Sequence, residues 1–147
     1  MHMKTRFLSV RRERGFTLIE ILVVLVLIGI LTTVALPAYR DYVTRGRLTE
    51  AFSGLGSVQT AAENYWNSSS PHTYVGFDRL PPNSANFTFT LSSATASSYT
   101  VTATGTGKMA GFVYTIDQNG NRTTTAPTGW GTSTSCWIDR KGAQCVQ

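Results

Sequence analysis

Three residues of this sequence have side chains whose chemistry and position suggest a function: Glu20, Cys136 and Cys145. Glu20 stands at the start of a long apolar block, where a carboxylate costs roughly a few kcal/mol unless it is paired or reaches the membrane interface. Cys136 and Cys145 are the two cysteines of the chain, too few for a four-cysteine zinc site. No Ser/His/Asp, Cys/His or paired-carboxylate arrangement is visible in the sequence, so we expect no enzyme activity, no metal and no cofactor.

The apolar block runs without a charged side chain from Ile21 to Tyr39. As a helix, this stretch spans about 28 Å, enough to cross the core of a bilayer. Three interpretations are open: a buried core helix, a secretory signal cut near residues 33–35, and a retained transmembrane helix. Core helices are usually shorter and amphipathic, and the block is long for a signal and has Glu20 at its start. We therefore favour a retained transmembrane helix.

Positive charge is concentrated ahead of the apolar block. Residues 1–15 carry +4 of the formal net charge of +5, which leaves +1 for the rest of the chain. Basic segments resist translocation, so the N-terminus is expected in the cytoplasm and the C-terminal part outside it. The near-neutral remainder argues against a large nucleic-acid-binding face. Outside the cytoplasm, a disulfide between the two cysteines is favoured over free thiols.

A helical pattern continues beyond the apolar block. Apolar residues recur at spacings of mostly three or four between residues 39 and 66, which predicts one stripe on an amphipathic helix. Pro37 predicts a kink rather than a break, and the segment 67–71 ends the helix. Local looseness is expected at three glycines: Gly46, Gly54 and Gly56. The stripe comprises Tyr39, Tyr42, Val43, Leu48, Ala51, Phe52, Leu55, Val58, Ala62, Tyr65 and Trp66.

From about residue 85 the apolar period changes to two, which is typical of strands. Short links between the strands favour an antiparallel meander, and we expect its apolar face to cover the helical stripe. The predicted strands are Phe87–Leu91, Tyr99–Ala103, Gly111–Asp117 and Arg122–Thr125.

Two segments between these strands imitate ligand-binding motifs. Gly105–Lys108 lacks the spacing of a phosphate-binding loop and is interpreted as a hairpin loop. Asp117, Asn119 and Asn121 have the first spacings of a calcium loop but no bidentate glutamate follows. We interpret the second segment as a turn.

Residues Gly15 to Glu20, with the sequence GFTLIE, follow a short basic leader and open the apolar helix. They resemble the processing motif of the type IV pilin superfamily, which includes type IV pilins, type II secretion pseudopilins and competence pilins. The resemblance runs over residues 11–42, and the C-terminal cysteine pair looks most like that of PilE-like minor pilins. It implies the α+β type IV pilin fold: a long N-terminal helix packed on an antiparallel β-meander with a C-terminal disulfide loop.

The resemblance implies four segments along the chain. The helix would be transmembrane in its N-terminal half and amphipathic in its C-terminal half. The segments are a leader peptide at 1–15, a transmembrane and assembly segment at 16–38, an amphipathic segment at 39–67, and an extracytoplasmic β-rich head at 68–147.

Processing and assembly are implied by the same motif. A prepilin peptidase would cut between Gly15 and Phe16 and methylate the new amine of Phe16; Gly15 has no side chain to obstruct a protease. Glu20 would then pair with the Phe16 amine of a neighbouring subunit and set the axial register of the filament. The alternatives are an interfacial Glu20 that headgroups satisfy and a bond to Phe16 within one subunit.

The function implied is that of a structural subunit, a minor pilin of a type IV pilus with roles in adhesion, twitching motility or DNA uptake. Its partners would be prepilin peptidase, other pilin subunits, the inner-membrane assembly platform and inner-membrane lipid. The subunit would wait in the inner membrane with its N-terminus cytoplasmic and its head periplasmic, and then enter the extracellular filament. We expect the Cys136–Cys145 loop, with Trp130 and Trp137, to form subunit or ligand contacts; burial of the tryptophans against the helix is the alternative.

Two other functions stay open. In a DNA-binding competence pilin, four cations would gather near the tip of the head with aromatic residues that stack on bases: Lys108, Arg122, Arg140 and Lys141. A type II secretion pseudopilin is disfavoured by the cysteine pair.

Overall fold

The computed structural model describes residues 15–146, so the proposed leader lies outside the described residues except for Gly15. These residues form two compact units that meet in sequence between Ala38 and Tyr39. One long helix, α1 (Leu18–Ser68), comes first, and a short 3-10 helix occupies Gly107–Met109. Seven strands follow α1: β1 (Phe87–Ser92), β2 (Thr100–Gly105), β3 (Val113–Asp117), β4 (Arg122–Thr125), β5 (Thr132–Ser133), β6 (Ile138–Arg140) and β7 (Gln144–Cys145).

The predicted end of α1 is confirmed. The helix contains Pro37 and ends at Ser68, where serines and a proline follow that are poor helix formers. The Ser69 amide still donates to the carbonyl of Tyr65 at 3.0 Å. The kink at Pro37 stays a prediction.

The predicted antiparallel meander is also confirmed. The first five strands form one sheet in the order β1-β2-β3-β4-β5, and every neighbouring pair is antiparallel. One row of this register runs across the sheet from Phe89 through Ala103 and Tyr114 to Thr124, and all four residues are buried. Because side chains alternate between the two faces of a strand, this row lies on the face that is packed into the core.

The core of the second unit contains this buried sheet face and the apolar stripe of α1. The stripe is fully buried at five positions with the spacing of one helical face: Leu48, Ala51, Leu55, Val58 and Ala62. The predicted extent of the stripe was too long, because Tyr39 and Tyr42 are 64% and 74% exposed. Burial begins only at Leu48, and a period of three or four residues cannot show where the covering sheet ends.

The C-terminal strands were not predicted. β5 adds two residues to the edge of the sheet, while β6 and β7 pair with each other as a separate hairpin. Strands of two or three residues are too short to show a period of two, so the sequence pattern carries no signal for them.

Candidate functional sites

The start of α1 is shaped by Thr17. Gly15, Phe16 and Thr17 are exposed and lie ahead of the first helical residue. The amide of Glu20 donates to the Thr17 hydroxyl Oγ1 at 3.3 Å and to the Thr17 carbonyl at 3.1 Å. Thr17 is therefore the N-cap of α1. This cap was not predicted, although Thr-x-x-Glu before an apolar run is its sequence signature.

Glu20 lies in the first helical turn, where the helix dipole stabilises a negative charge. Among the described residues, its carboxylate receives no hydrogen bond and joins no salt bridge. The nitrogen of Phe16 is an amide in the uncut chain and carries no positive charge. The pairing of Glu20 with a Phe16 amine therefore stays a prediction.

The N-terminal half of α1 is apolar and exposed. It contains an 18-residue window with a mean hydropathy of 2.8, none of which is buried, and it is long and apolar enough to cross a membrane. Its polar hydroxyls are satisfied within the helix: Thr32 donates to the carbonyl of Ile28 at 2.6 Å, and Thr33 to that of Ile30 at 2.7 Å. A membrane environment requires such internal hydrogen bonds. The exposure contradicts the alternative of a buried core helix.

The C-terminal loop is closed by the Cys136–Cys145 disulfide, which confirms the implied pairing. The two Cα atoms are 5.9 Å apart. Between the cysteines, β6 and β7 form a hairpin whose turn contains Lys141 and Gly142. Gly142 has a φ of 77°, a left-handed conformation that glycine adopts without steric cost.

Two ion pairs connect this hairpin to the helical segment after Ala38. Lys141 Nζ lies 2.8 Å from Asp41 Oδ1, and Arg45 Nη2 lies 3.6 Å from Asp139 Oδ2. The Lys141 and Asp41 side chains are 54% and 40% exposed, so this pair contributes about 0–1 kcal/mol. The Arg45–Asp139 pair is more enclosed, since Arg45 Nε and Asp139 Oδ1 are buried.

A chain of hydrogen bonds holds the hairpin against the sheet. The hydroxyl of the buried Thr124 donates to the carbonyl of Cys136 at 2.9 Å and accepts the amide of Ile138 at 3.0 Å. The Tyr114 hydroxyl donates to the carbonyl of Ile138 at 2.9 Å. Burial raises the pKa of Tyr114, and the negative charge of Asp139 raises it further. This phenol therefore stays protonated as a donor.

The expectation that Trp130 and Trp137 form external contacts is wrong. They are 7% and 4% exposed, so both side chains are buried, and Trp137 is buried against the helix as the alternative stated. Trp137 stacks on Phe52 with ring centroids 5.5 Å apart, and its indole N–H donates to the carbonyl of Thr115 at 2.9 Å. Trp130 packs edge-on against Phe112 at 5.1 Å. Both tryptophans therefore help to fill the core of the head.

Three of the four head cations contact other side chains. Lys141 and Arg140 are engaged by Asp41 and Asp139. Arg122 lies over the ring of Trp137, with 4.4 Å between its Cζ and the ring centroid. Lys108 lines a groove together with Arg40 and Arg47 of α1.

The segment after Asp117 is a turn, as predicted, and Gly105–Lys108 lies in the hairpin connection between β2 and β3, also as predicted. Asp117 Oδ1 accepts the amides of Asn119 and Asn121, both at 2.9 Å, and its Oδ2 accepts the Asn121 side chain at 2.8 Å. These bonds explain the calcium-like spacing as a side-chain-stabilised turn. The Gly105–Lys108 segment connects β2 to β3 through the 3-10 helix. Within residues 15–146 there is no group of three potential metal ligands.

A pilin of Neisseria gonorrhoeae and a fimbrial protein of Eikenella corrodens are similar to part of this sequence. The chain is 43% identical over 74 residues to the type IV major pilin protein PilE1 of Neisseria gonorrhoeae, covering 50% of this chain and 40% of that one. It is 47% identical over 55 residues to the fimbrial protein EcpC of Eikenella corrodens, covering 37% of this chain and 36% of that one. The alignments thus span between about a third and two fifths of these relatives.

The fold has a solved counterpart in the minor pilin PilV of Neisseria meningitidis. The TM-score is 0.52 at 20% sequence identity, and the match covers 60% of this chain and 92% of the PilV chain. At this identity, the comparison supports the type IV pilin fold, with its long helix, antiparallel sheet and C-terminal disulfide.

Two family models match this sequence in consecutive stretches. The prokaryotic N-terminal methylation motif matches residues 10–36. The family described as "Type IV minor pilin ComP, DNA uptake sequence receptor" matches residues 37–113, just over half of the chain. The match favours a type IV pilin over a secretion pseudopilin and a cleaved secretory signal. The chain belongs to the ComP family of type IV minor pilins.

Proposed function

We propose that the chain is made as a membrane-anchored precursor, cut by a prepilin peptidase between Gly15 and Phe16, and methylated on Phe16. The observation that carries this proposal is the exposed, non-helical segment 15–17 directly ahead of an apolar helix. A protease needs backbone that is exposed and not folded into a helix, and residues 15–17 meet both conditions. The match of residues 10–36 to the methylation motif supports the same assignment.

Intact-mass analysis of membrane fractions tests the processing step. We expect a mature chain that starts at Phe16 with one methyl group. Gly15→Val should remain uncut because a branched side chain obstructs close approach to the bond. Gly56→Ala is the matched control, since a methyl group at Gly56 meets no atom within 4 Å, and it should be cut normally. A mature N-terminus near Leu36 would contradict the proposal.

The mature subunit, in this proposal, waits in the inner membrane with its N-terminus cytoplasmic and its head periplasmic. An inner-membrane assembly platform then transfers it to a filament, where helices of other pilin subunits replace lipid around the apolar segment. The exposed apolar side chains of α1 support this, because a continuous apolar surface of this length requires lipid or other helices around it. The role is structural, and no enzymatic step is assigned to the chain.

Glu20 is proposed to select subunits for assembly by meeting the Phe16 amine of a neighbour. Arg40 is the next cation along the helix and lies about 30 Å away at a rise of about 1.5 Å per residue. The amine that cleavage creates on Phe16 is therefore the nearest possible partner of the Glu20 carboxylate. The Thr17 cap suggests another role for Glu20, because an acidic residue in the first turn stabilises its own helix without contacting a neighbouring subunit.

Two variants separate these explanations. Glu20→Leu should be cut and should insert into the membrane but enter filaments poorly, because the charge is lost. Thr17→Ala removes the capping hydroxyl, at a cost of about 1 kcal/mol in helix stability, but keeps the carboxylate and should enter filaments normally. The measurement is the amount of each variant in sheared filaments relative to membranes. Wild-type incorporation of Glu20→Leu would show that Glu20 is only an interfacial or capping residue.

DNA binding by the head is the second candidate function. The specific observation in its favour is the match of residues 37–113 to a family described as a DNA uptake sequence receptor. Arg79 and Arg122 are exposed and, within the described part of the chain, take part in no salt bridge. They are therefore available to phosphates.

Retention of duplex DNA by the full chain at increasing salt tests this function. If both arginines contact phosphates, R79Q/R122Q should weaken binding at low salt and lower the slope of log K against log salt by about 2. Binding that is unaffected by the double substitution would exclude these two arginines, and the absence of any salt-dependent binding would exclude the function.

A further inference from the structure

A groove rich in cations lies on the helical segment directly after Ala38. It encloses about 480 Å³ and is lined by Tyr39, Arg40, Val43, Thr44, Arg47 and Lys108. We call it the basic groove. Arg40 and Arg47 are seven residues apart, two helical turns, and so lie on one side of α1. Lys108 reaches the same groove from the 3-10 helix between β2 and β3.

The positive charge of the basic groove is not neutralised within the described residues. None of its three cations takes part in a salt bridge there. The two carboxylates closest in sequence are already engaged: Asp41 faces Lys141 at 2.8 Å, and Glu50 accepts hydrogen bonds from Ser84 and Asn86, both at 2.8 Å. The groove therefore lacks an anion of its own. Two guanidinium groups and an ammonium group suit the several oxygens of a phosphate.

The place of the groove in the sequence indicates the source of that phosphate. Tyr39 and Arg40 follow immediately after the apolar unit, which ends at Ala38. Aromatic and basic side chains at the end of a membrane-spanning helix lie at the level of the lipid headgroups. Tyr39 is 64% exposed, as expected of a side chain at an interface. A headgroup is thus the anion that a membrane-stored subunit meets at this depth.

We propose that the basic groove binds the phosphate of an anionic phospholipid headgroup, such as phosphatidylglycerol, while the subunit is stored in the membrane. This inference rests on the membrane storage proposed above. Arg47 and Lys108 hold the phosphate oxygens, and Arg40 and Tyr39 flank it at the interface. Departure of the subunit into the filament requires release of this lipid.

The test uses the full chain in nonionic detergent, titrated with phosphatidylglycerol or phosphatidylcholine of identical acyl chains, with bound lipid counted by native mass spectrometry. A basic residue near an anionic surface strengthens binding about fivefold, so R47Q/K108Q should weaken phosphatidylglycerol binding about 25-fold. Phosphatidylcholine binding should not change. R79Q/R122Q removes the same charge elsewhere and should retain the wild-type affinity for phosphatidylglycerol, as should R47K/K108R, which keeps the charge.

Three results would overturn the inference. Equal affinity of R47Q/K108Q and R79Q/R122Q for phosphatidylglycerol would mean that lipid binding depends only on the total charge of the chain and not on the groove. Loss of duplex DNA binding in R47Q/K108Q, with phosphatidylglycerol binding intact, would assign the groove to nucleic acid. Saturation by inorganic phosphate at the same concentration as the lipid would make the site a general anion site.

Alkaline extraction of cell membranes separates failure of this inference from failure of the proposed function. A wild-type chain that alkali releases from membranes is not membrane-anchored, and both proposals fall. A chain that stays in the membrane and binds both lipids equally overturns only the headgroup site.

Discussion

Gly54 and Gly56 look equivalent in the sequence, but the fold predicts opposite effects for their replacement by alanine. Both lie inside α1, where alanine is favoured over glycine by about 1 kcal/mol. A methyl group at Gly56 meets no atom within 4 Å, whereas at Gly54 it would clash with Cζ of the Phe89 ring and approach Cε1 to 2.6 Å. Gly54 thus allows β1 to pack close to the helix.

The expected magnitudes follow from these distances. Gly56→Ala should stabilise the head by about 1 kcal/mol through helix propensity. Gly54→Ala gains the same propensity but forces the ring of Phe89, which is 8% exposed, to move within a packed core. Overpacking of this kind costs typically about 1–3 kcal/mol. The two variants should therefore differ by about 1–3 kcal/mol in the free energy of unfolding, with Gly56→Ala the more stable.

Thermal unfolding of the full chain in detergent measures the difference. The fluorescence of Trp130 and Trp137 reports on the head, because both are buried in its core. For a domain of this size, about 1 kcal/mol corresponds to a shift of about 4 °C in the midpoint.

A double substitution checks the cause. If the Phe89 ring is the obstacle, Phe89→Leu should cost less in the Gly54→Ala background than in the wild type, because the smaller side chain relieves the clash. If Gly54→Ala stabilises the head as much as Gly56→Ala, the close packing of β1 on α1 is refuted.

Three further predictions concern the head. Thr124→Val keeps the volume but removes the hydroxyl that connects Cys136 and Ile138, so chemical unfolding should show a loss of about 1–3 kcal/mol; a loss below this range would mean that the hydroxyl adds little. Burial raises the pKa of Tyr99 to about 12, with the charges of Tyr74, Glu63 and Asp117 adding to it. The unfolded phenol ionises near pH 10, so this contribution to stability is complete below about pH 10 and is lost as the pH rises towards about 12. Unfolding midpoints measured from pH 8 to 11.5 should fall less steeply in Tyr99→Phe than in the wild type, and equal slopes would contradict the shift. Reduction of the Cys136–Cys145 bond, nine residues apart in sequence, should lower stability by about 2–3 kcal/mol through the loop entropy of the unfolded chain, and unchanged unfolding with and without reductant would refute this.

The sequence alone determined the features that depend on neighbouring residues. Short-range periodicity and turn chemistry were enough to predict four features. These are the apolar block with Glu20 at its start, the end of the helix near residue 68, the four longer strands and the turn after Asp117. The motif at residues 15–20 identified the superfamily, and the cysteine pairing followed from the two cysteines in a domain expected outside the cytoplasm. The Thr-x-x-Glu cap was present in the sequence as well, although it was not predicted.

Only the tertiary structure decided which residues meet across long sequence separations. The part of α1 that the sheet covers decides several of these contacts. It determines that Trp137 is buried on Phe52, that Gly54 and Gly56 have different surroundings, and that Tyr42 is exposed. Lys108 joins Arg47 in one groove only because the meander brings the 3-10 helix back to α1. Periodicity specifies which face of each element is apolar, but not which part of that face another element covers, because that depends on packing between residues far apart in the chain.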